Sequence, residues 1–302
     1  MPDQPPGRRP DGTTILAFVA MVLLGGSNAV AVRFSNLELP PFWGAASRFV
    51  ATAVLFWAIV AVRGAPVPRG RALFGASFFG LVSVGGSYAF LYWALTSVTA
   101  SLTMVVLSIG PLLTLFFARA HGLEPLRGRG LAGSLLAFAG ILIAVGDELG
   151  VSVSAPALLA LIAGAACIAE GSVLFKTFPR ADPLTVNAVA VTTGAALLAL
   201  VSSAAREPWT LPTTATTWVA FAYLVFVGSV VVFYLYLFVL SRWTASATSY
   251  AFLLFPVATV VIGAWLAGED VTPRFLLGGA IVLAGVWVGA FSEARPVPLR
   301  EA

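Results

Sequence analysis

Ten long apolar runs constrain this chain more than any other feature. They lie at about 14–32, 42–62, 72–95, 99–118, 130–146, 154–175, 184–204, 217–240, 245–267 and 275–292. Eight of them hold no Asp, Glu, Lys or Arg; the second holds Arg48 and the sixth holds Glu170. About 20 apolar residues cross the hydrocarbon core of a bilayer as a helix. Lipid offers the backbone no hydrogen-bond partners, so each run must satisfy its own. A membrane β-barrel would alternate apolar and polar residues over about ten positions, and runs such as 224–233 do not alternate. Charged residues make up 10% of the chain, against about 25% in a soluble domain, and the mean hydropathy is +0.97. The expected fold is an all-α polytopic membrane protein with the lipid bilayer as its solvent. The first run is too long for the apolar core of a signal peptide, and no Ala-x-Ala site ends it.

A single cysteine, Cys167, excludes an internal disulfide and a thiolate cluster within one chain. The lone His121, in a loop beside Arg119 and Arg127, reads as a solvated loop residue rather than a metal ligand. No metal or cofactor is expected. The connecting loops are short, so their charge reports orientation. With the N-terminus and every second loop on one side, that side holds 13 of the 17 Lys and Arg residues. The other side holds Arg33, Arg206 and Arg274, and Arg48 lies within the membrane. Both termini are therefore expected to be cytoplasmic, in a cell (inner) membrane. The net charge of +4 is a by-product of this bias. It is not a nucleic-acid signature, because no aromatic-basic stripe accompanies it.

The chain repeats itself at a spacing of 145 residues. Thr99, Ala100, Ser101, Thr103 and Pro111 fall on Thr244, Ala245, Ser246, Thr248 and Pro256. Thr114, Glu124, Arg129, Leu131, Gly133 and Gly140 fall on Thr259, Glu269, Arg274, Leu276, Gly278 and Gly285, and Ser27 falls on Ser172. Each half carries five apolar runs. Five is odd, so the second half enters the membrane from the opposite side, and the halves are expected to be inverted repeats. That architecture recurs in secondary transporters, whose sites lie near the bilayer midplane. The expected organisation is a disordered cytoplasmic tail (1–12), two five-helix repeats (13–147 and 153–293) and a second cytoplasmic tail (294–302).

The same residues resemble a known family. Gly25-Gly26-Ser27-Asn28 is similar to the "WGSNF" signature of the EamA domain, within the drug/metabolite transporter superfamily. Pro40-Pro41 followed by Arg48-Phe49 resembles its "PP…RF" second helix. Positions 99–111, Glu124 and Gly133 resemble its fourth helix, "GE" loop and fifth helix; Pro256, Gly268-Glu269 and Gly278 repeat that pattern. The resemblance covers nearly the whole chain as two EamA units. One departure stands out: Gly25 occupies a position that is often Trp, which removes an aromatic wall. The resemblance implies export of amino acids or other metabolites.

Several residues are candidates for transport. Glu170 lies six residues before Lys176, roughly 9 Å inside the cytoplasmic boundary. An intramembrane carboxylate is costly and marks function by default. It could couple transport to protons or bind a substrate amine, and the alternative is a residue in a wet vestibule paired to a loop arginine. Arg48, about six residues inside the opposite edge, could hold a substrate carboxylate or serve structure. Ser27 and Asn28 are candidate substrate contacts or interhelical hydrogen bonders. Tyr88 and Tyr92 share one helix face, and with Tyr234 and Tyr250 they are candidates to line a cavity. Pro111 and Pro256 are expected to kink equivalent helices and to act as hinges or cavity-formers. The glycines at 133, 140, 278, 285 and 289 give small helix faces for packing between the halves or in a homodimer.

These features favour a secondary transporter of a small-molecule substrate, and not an enzyme. No Walker A motif suggests an ATP-driven pump, no buried acid, His or Ser-Lys constellation suggests a membrane enzyme, and no repeated polar ring suggests a channel. A sugar phosphate would need several cations at the midplane. A zwitterionic amino acid fits better, and export of multiple drugs or of other cationic or neutral solutes is the alternative.

Overall fold

The computed structural model describes residues 10–98, 100–126, 128–144, 154–258 and 273–291. Among the described residues the regular structure is all helical, with no strand. Eight helices are long and apolar enough to cross a membrane. They are α1 (Gly12–Ser35), α2 (Pro41–Arg63), α3 (Arg71–Ala94), α4 (Leu102–Ala120), α6 (Ala155–Phe175), α7 (Pro183–Ala204), α8 (Ala215–Arg242) and α10 (Pro273–Ala290). Two shorter apolar helices among the described residues are α5 (Gly128–Ala144) and α9 (Ala245–Ala258). The second half of the ninth run, at 259–267, lies outside the described residues, as do Gly268-Glu269 and most of both tails.

Capping residues set the helix starts. Asp11 Oδ1 accepts from Thr14 N at 2.8 Å to open α1, Asp182 Oδ1 accepts from Leu184 N at 2.9 Å to open α7, and Thr244 Oγ1 accepts from Ala247 N at 3.0 Å to open α9. Prolines occupy the first turns of α2, α6 and α7, where a missing N–H costs nothing. Three starts, those of α2, α8 and α9, also borrow a carboxylate from a distant loop. Glu207 accepts from Phe42 N and Trp43 N at 3.2 and 2.7 Å, at the start of α2. Glu38 accepts from Thr213 N at 2.6 Å and Thr217 Oγ1 at 2.9 Å, at the start of α8. Glu124 accepts from Ala245 N at 3.0 Å, at the start of α9. Each carboxylate meets orphan backbone donors at the positive end of a helix.

The outward surface is apolar, with Leu16, Val54, Val62, Leu159, Leu200, Val219 and Trp287 exposed, as lipid contact requires. Inside, helices at equivalent places in the two halves lie against each other. α2 and α7 run antiparallel, joined near one end by Glu207 and further along by Trp57 Nε1, which donates to Thr192 Oγ1 at 2.9 Å. α5 and α10 also run antiparallel and touch through glycine. A Cβ on Gly133 would land 2.5 Å from Gly289 N, and one on Gly278 would land 2.6 Å from Ala144 N. A Cβ on Gly140 would meet Gly278 O at 2.8 Å, and one on Gly285 would meet Gly133 O at 2.6 Å. The small-residue face named in the sequence is thus used within the chain.

Several helices are interrupted. α1 breaks at Gly26 and Ser27, and α4 breaks at Ser108 and Ile109, immediately before Pro111. Proline lacks the N–H that Leu107 O would accept, and Ser108 Oγ turns back to Val105 O at 2.5 Å. α9 is interrupted at Tyr250, six residues before its proline, and Pro256 sits within helix. α3 and α8 each contain a π-helical stretch, Gly80–Gly86 and Phe226–Val231. Moved by 145 places, 81–86 falls on 226–231. π turns free backbone groups and gather at functional sites.

Candidate functional site

The π turn of α8 organises a buried polar cluster between α1, α2, α3 and α8. Arg48 on α2 is fully buried, with 0% of its surface exposed. Its Nε donates to Ser229 Oγ at 2.8 Å, its Nη2 to Gly228 O at 2.9 Å and its Nη1 to Tyr92 Oη at 3.2 Å. Its guanidinium carbon lies 4.9 Å from the Phe49 ring centre and 5.3 Å from that of Tyr88. Among the described residues no carboxylate pairs with it. Asn28 on α1 donates from Nδ2 to the same Gly228 O at 3.2 Å, and its Oδ1 is buried without a partner. Next to it, Ser27 Oγ lies 2.5 Å from Tyr223 Oη, which donates to Leu24 O at 3.0 Å across the break in α1. Ser229 Oγ donates to Leu224 O at 2.8 Å, five residues back, as π geometry allows.

Of the sequence candidates, Ser27, Asn28, Arg48, Tyr88 and Tyr92 meet in this cluster. Gly25 is covered by Phe255: a Cβ there would lie 2.8 Å from that ring, so an aromatic from α9 stands where the sequence suggested a missing wall. The other candidates lie elsewhere. Tyr250 Oη donates to Gly130 O at 2.8 Å and accepts from Ser134 Oγ at 2.9 Å, tying α9 to α5. Tyr234 packs on Phe238 with ring centres 6.2 Å apart. Pro111 follows Gly110, which with Leu107, Thr114, Ala169, Tyr236 and Phe252 lines a narrow crevice.

Glu170 lies beside that crevice. Its partner is His121, in place of the loop arginine of the alternative reading, and His121 stays exposed. His121 Nε2 and Glu170 Oε1 are 2.7 Å apart, with side chains 36% and 28% exposed. Glu170 Oε2 is buried without a partner. His121 follows Thr114 by seven residues and so continues the crevice-lining face of α4. On the same level Ser172 Oγ lies 2.7 Å from Tyr236 Oη. Lys176 Nζ donates to Leu240 O and Trp243 O at the end of α8, and burial pushes its ammonium down to about 8. Among the described residues no three His, Cys, Asp or Glu side chains gather as a metal site.

Sequence reasoning missed Tyr223, Gly228, Ser229 and the partnership of His121. A glycine at the centre of α8, opposite Ser83 in the 145-residue register, was the available signal.

The model of the EamA-like transporter family matches residues 12–146 and 155–290, which is nearly the whole chain in two copies. The chain belongs to the EamA-like transporter family. It is a multi-pass membrane protein of helical build. It is 27% identical over 275 residues to the "Uncharacterized inner membrane transporter YedA" of Escherichia coli (strain K12), covering 90% of this chain and 89% of that one. It is 28% identical over 294 residues to a "Probable amino-acid metabolite efflux pump" of the same strain, covering 94% and 95%. A "Probable terminal-alkyne amino-acid exporter" of Streptantibioticus cattleyicolor is 28% identical over 80% of each chain. A solved crystal structure shares the fold, with a TM-score of 0.77 at 23% identity over 93% of this chain and 99% of that one.

Proposed function

We propose that this EamA-like protein is a secondary active transporter that exports small metabolites such as amino acids. It works by alternating access between two inverted five-helix repeats, with ten membrane crossings and both termini cytoplasmic. The observation that carries the reading is the pairing of contacts between α5 and α10. Under the 145-residue shift the approach of Gly133 to Gly289 becomes that of Gly278 to Ala144. The approach of Gly140 to Gly278 becomes that of Gly285 to Gly133. Contacts that map onto themselves when the halves are exchanged are what a two-fold axis in the membrane plane produces. The matching π turns of α3 and α8 support the same axis.

Loop contacts support ten crossings. The loop after α1 meets the loop after α7 through Glu38 and Thr213, and the loop after α4 meets the start of α9 through Glu124. Arg274 Nε, at the start of α10, donates to Ile143 O near the end of α5 at 2.9 Å. Every one of these contacts joins ends that ten alternating crossings put on one side.

The substrate reading rests on charge. Among the described residues the membrane interior offers one fully buried cation, Arg48, which is too little for a sugar phosphate and suits a zwitterion. The names of two relatives point to amino-acid export. Glu170, with its open Oε2, is the candidate for proton coupling, now with His121 as its partner. The test is counterflow in proteoliposomes loaded with amino acids. Saturable exchange is the expected result, and flux that rises linearly with concentration at channel rates would refute the reading. Glu170→Gln is expected to flatten the pH dependence of that flux; a variant that keeps the full dependence would remove Glu170 from coupling.

A further inference from the structure

We propose that Arg48 and Asn28, joined at Gly228, form the site that recognises the paired charges of an α-amino acid, Arg48 taking the carboxylate and Asn28 Oδ1 taking the ammonium. The inference rests on the transporter reading and names the part of the substrate that the site would read. A guanidinium carries five N–H groups, and Arg48 spends three of them, on Ser229, Gly228 and Tyr92. The Tyr88 side chain also reaches the guanidinium, and among the described residues no carboxylate pairs with it. A fully buried cation without an anion is among the costliest things a membrane interior can hold. A carboxylate presents two oxygens that match the guanidinium fork.

Asn28 supplies the complementary half. Its Nδ2 is committed to Gly228 O, which fixes the amide orientation and leaves Oδ1 as a buried acceptor with nothing to accept. An ammonium is all donors. The Arg48 and Asn28 bonds to Gly228 end on one oxygen atom, at 2.9 and 3.2 Å, so the guanidinium and the amide are immediate neighbours. An α-amino acid carries its two charges on a single carbon and needs such closeness. An amine or a carboxylic acid alone would satisfy only one of the two groups. Gly228 is required here because any side chain would displace Asn28 Oδ1. The rings of Phe49 and Tyr88 flank the guanidinium and keep water from it.

The experiment titrates the twenty proteinogenic L-amino acids into detergent-purified full-length protein at neutral pH, by thermal shift and calorimetry. For the tightest binder, the amine lacking its carboxylate and the acid lacking its amino group follow. The expected result is binding of the amino acid, with each analogue weaker by about tenfold or more, as loss of one charge-assisted hydrogen bond implies. Asn28→Ala is expected to weaken the amino acid by a similar factor and to leave the deaminated acid unchanged. A purely structural Asn28 would shift both ligands alike. Arg48→Lys should lose the fork and weaken both the amino acid and the acid; where it fails to fold, the Asn28→Ala comparison decides alone. Binding of none of the twenty, equal binding of the deaminated acid, or wild-type affinity in Asn28→Ala would overturn the site. If proteoliposomes exchange a different metabolite while no amino acid binds, this site falls and the transporter reading stands. If they exchange no solute at all, both fall.

Discussion

A Cβ at position 228 would run into Asn28 Oδ1 and come within 3.3 Å of Arg48 Nη2. Gly228→Ala should therefore push α1 from α8 and cost about 1–3 kcal/mol, the usual range for overpacking; chemical unfolding of the purified protein would measure it, and a neutral result would mean the π turn relaxes freely. Glu38 tests the carboxylate caps. The hydroxyl of Thr214, ahead of the other donors, holds its carboxyl down at about 2, against an ordinary 4.5. A depressed carboxylate stabilises the fold above its unfolded value and loses that contribution as pH falls. The melting temperature should thus drop as pH falls from about 4.5 towards 2, and Glu38→Gln should flatten that drop. Arg48, Asn28 and Glu170 were legible in the sequence because a polar group in a lipid-length run has few bland explanations. Their partners were not: Ser229 lies 181 residues from Arg48, and His121 lies 49 from Glu170. Nothing local in a loop histidine announces a carboxylate on another helix.

At the scale of elements, the α5–α10 pair depends on hydrogen-sized side chains at particular places. Gly285→Ala would bring a methyl to 2.5 Å from Ala137 N and should destabilise by about 1–3 kcal/mol. Gly279, six residues earlier on α10, has nothing within 4 Å of the same methyl. Gly279→Ala should be neutral or stabilising by up to about 1 kcal/mol, through helix propensity. Equal losses in both variants would show that propensity, not the contact, sets the effect. The break in α4 was readable from Pro111, because proline removes a specific donor. The sequence expected the same of Pro256, yet α9 is interrupted at Tyr250, where the hydroxyl reaches Gly130 O and anchors the helix to α5. The π turns of α3 and α8 were not readable. A π turn inserts one residue without altering composition, and here close backbone approach favours it: Gly80 lies against Ala190 O and Gly194 against Gly80 O.

For the whole molecule, the sequence carried the helical membrane build, the 145-residue repeat and the family pattern, since each depends on order along the chain. It could not carry the depth of the crevice beside Glu170, which depends on how α4, α6, α8 and α9 meet. Two halves that exchange conformations must open one end as they close the other. The direct measurement places paired spin labels in a Cys167→Ala background, at exposed positions on opposite halves. Gly122 and Thr177 report the His121 end, and Leu37 and Leu211 report the Glu38 end. Saturating substrate is predicted to move the two distances in opposite directions by several ångströms. Two distances that lengthen together, or neither changing in a protein that demonstrably binds its substrate, would contradict alternating access between inverted halves.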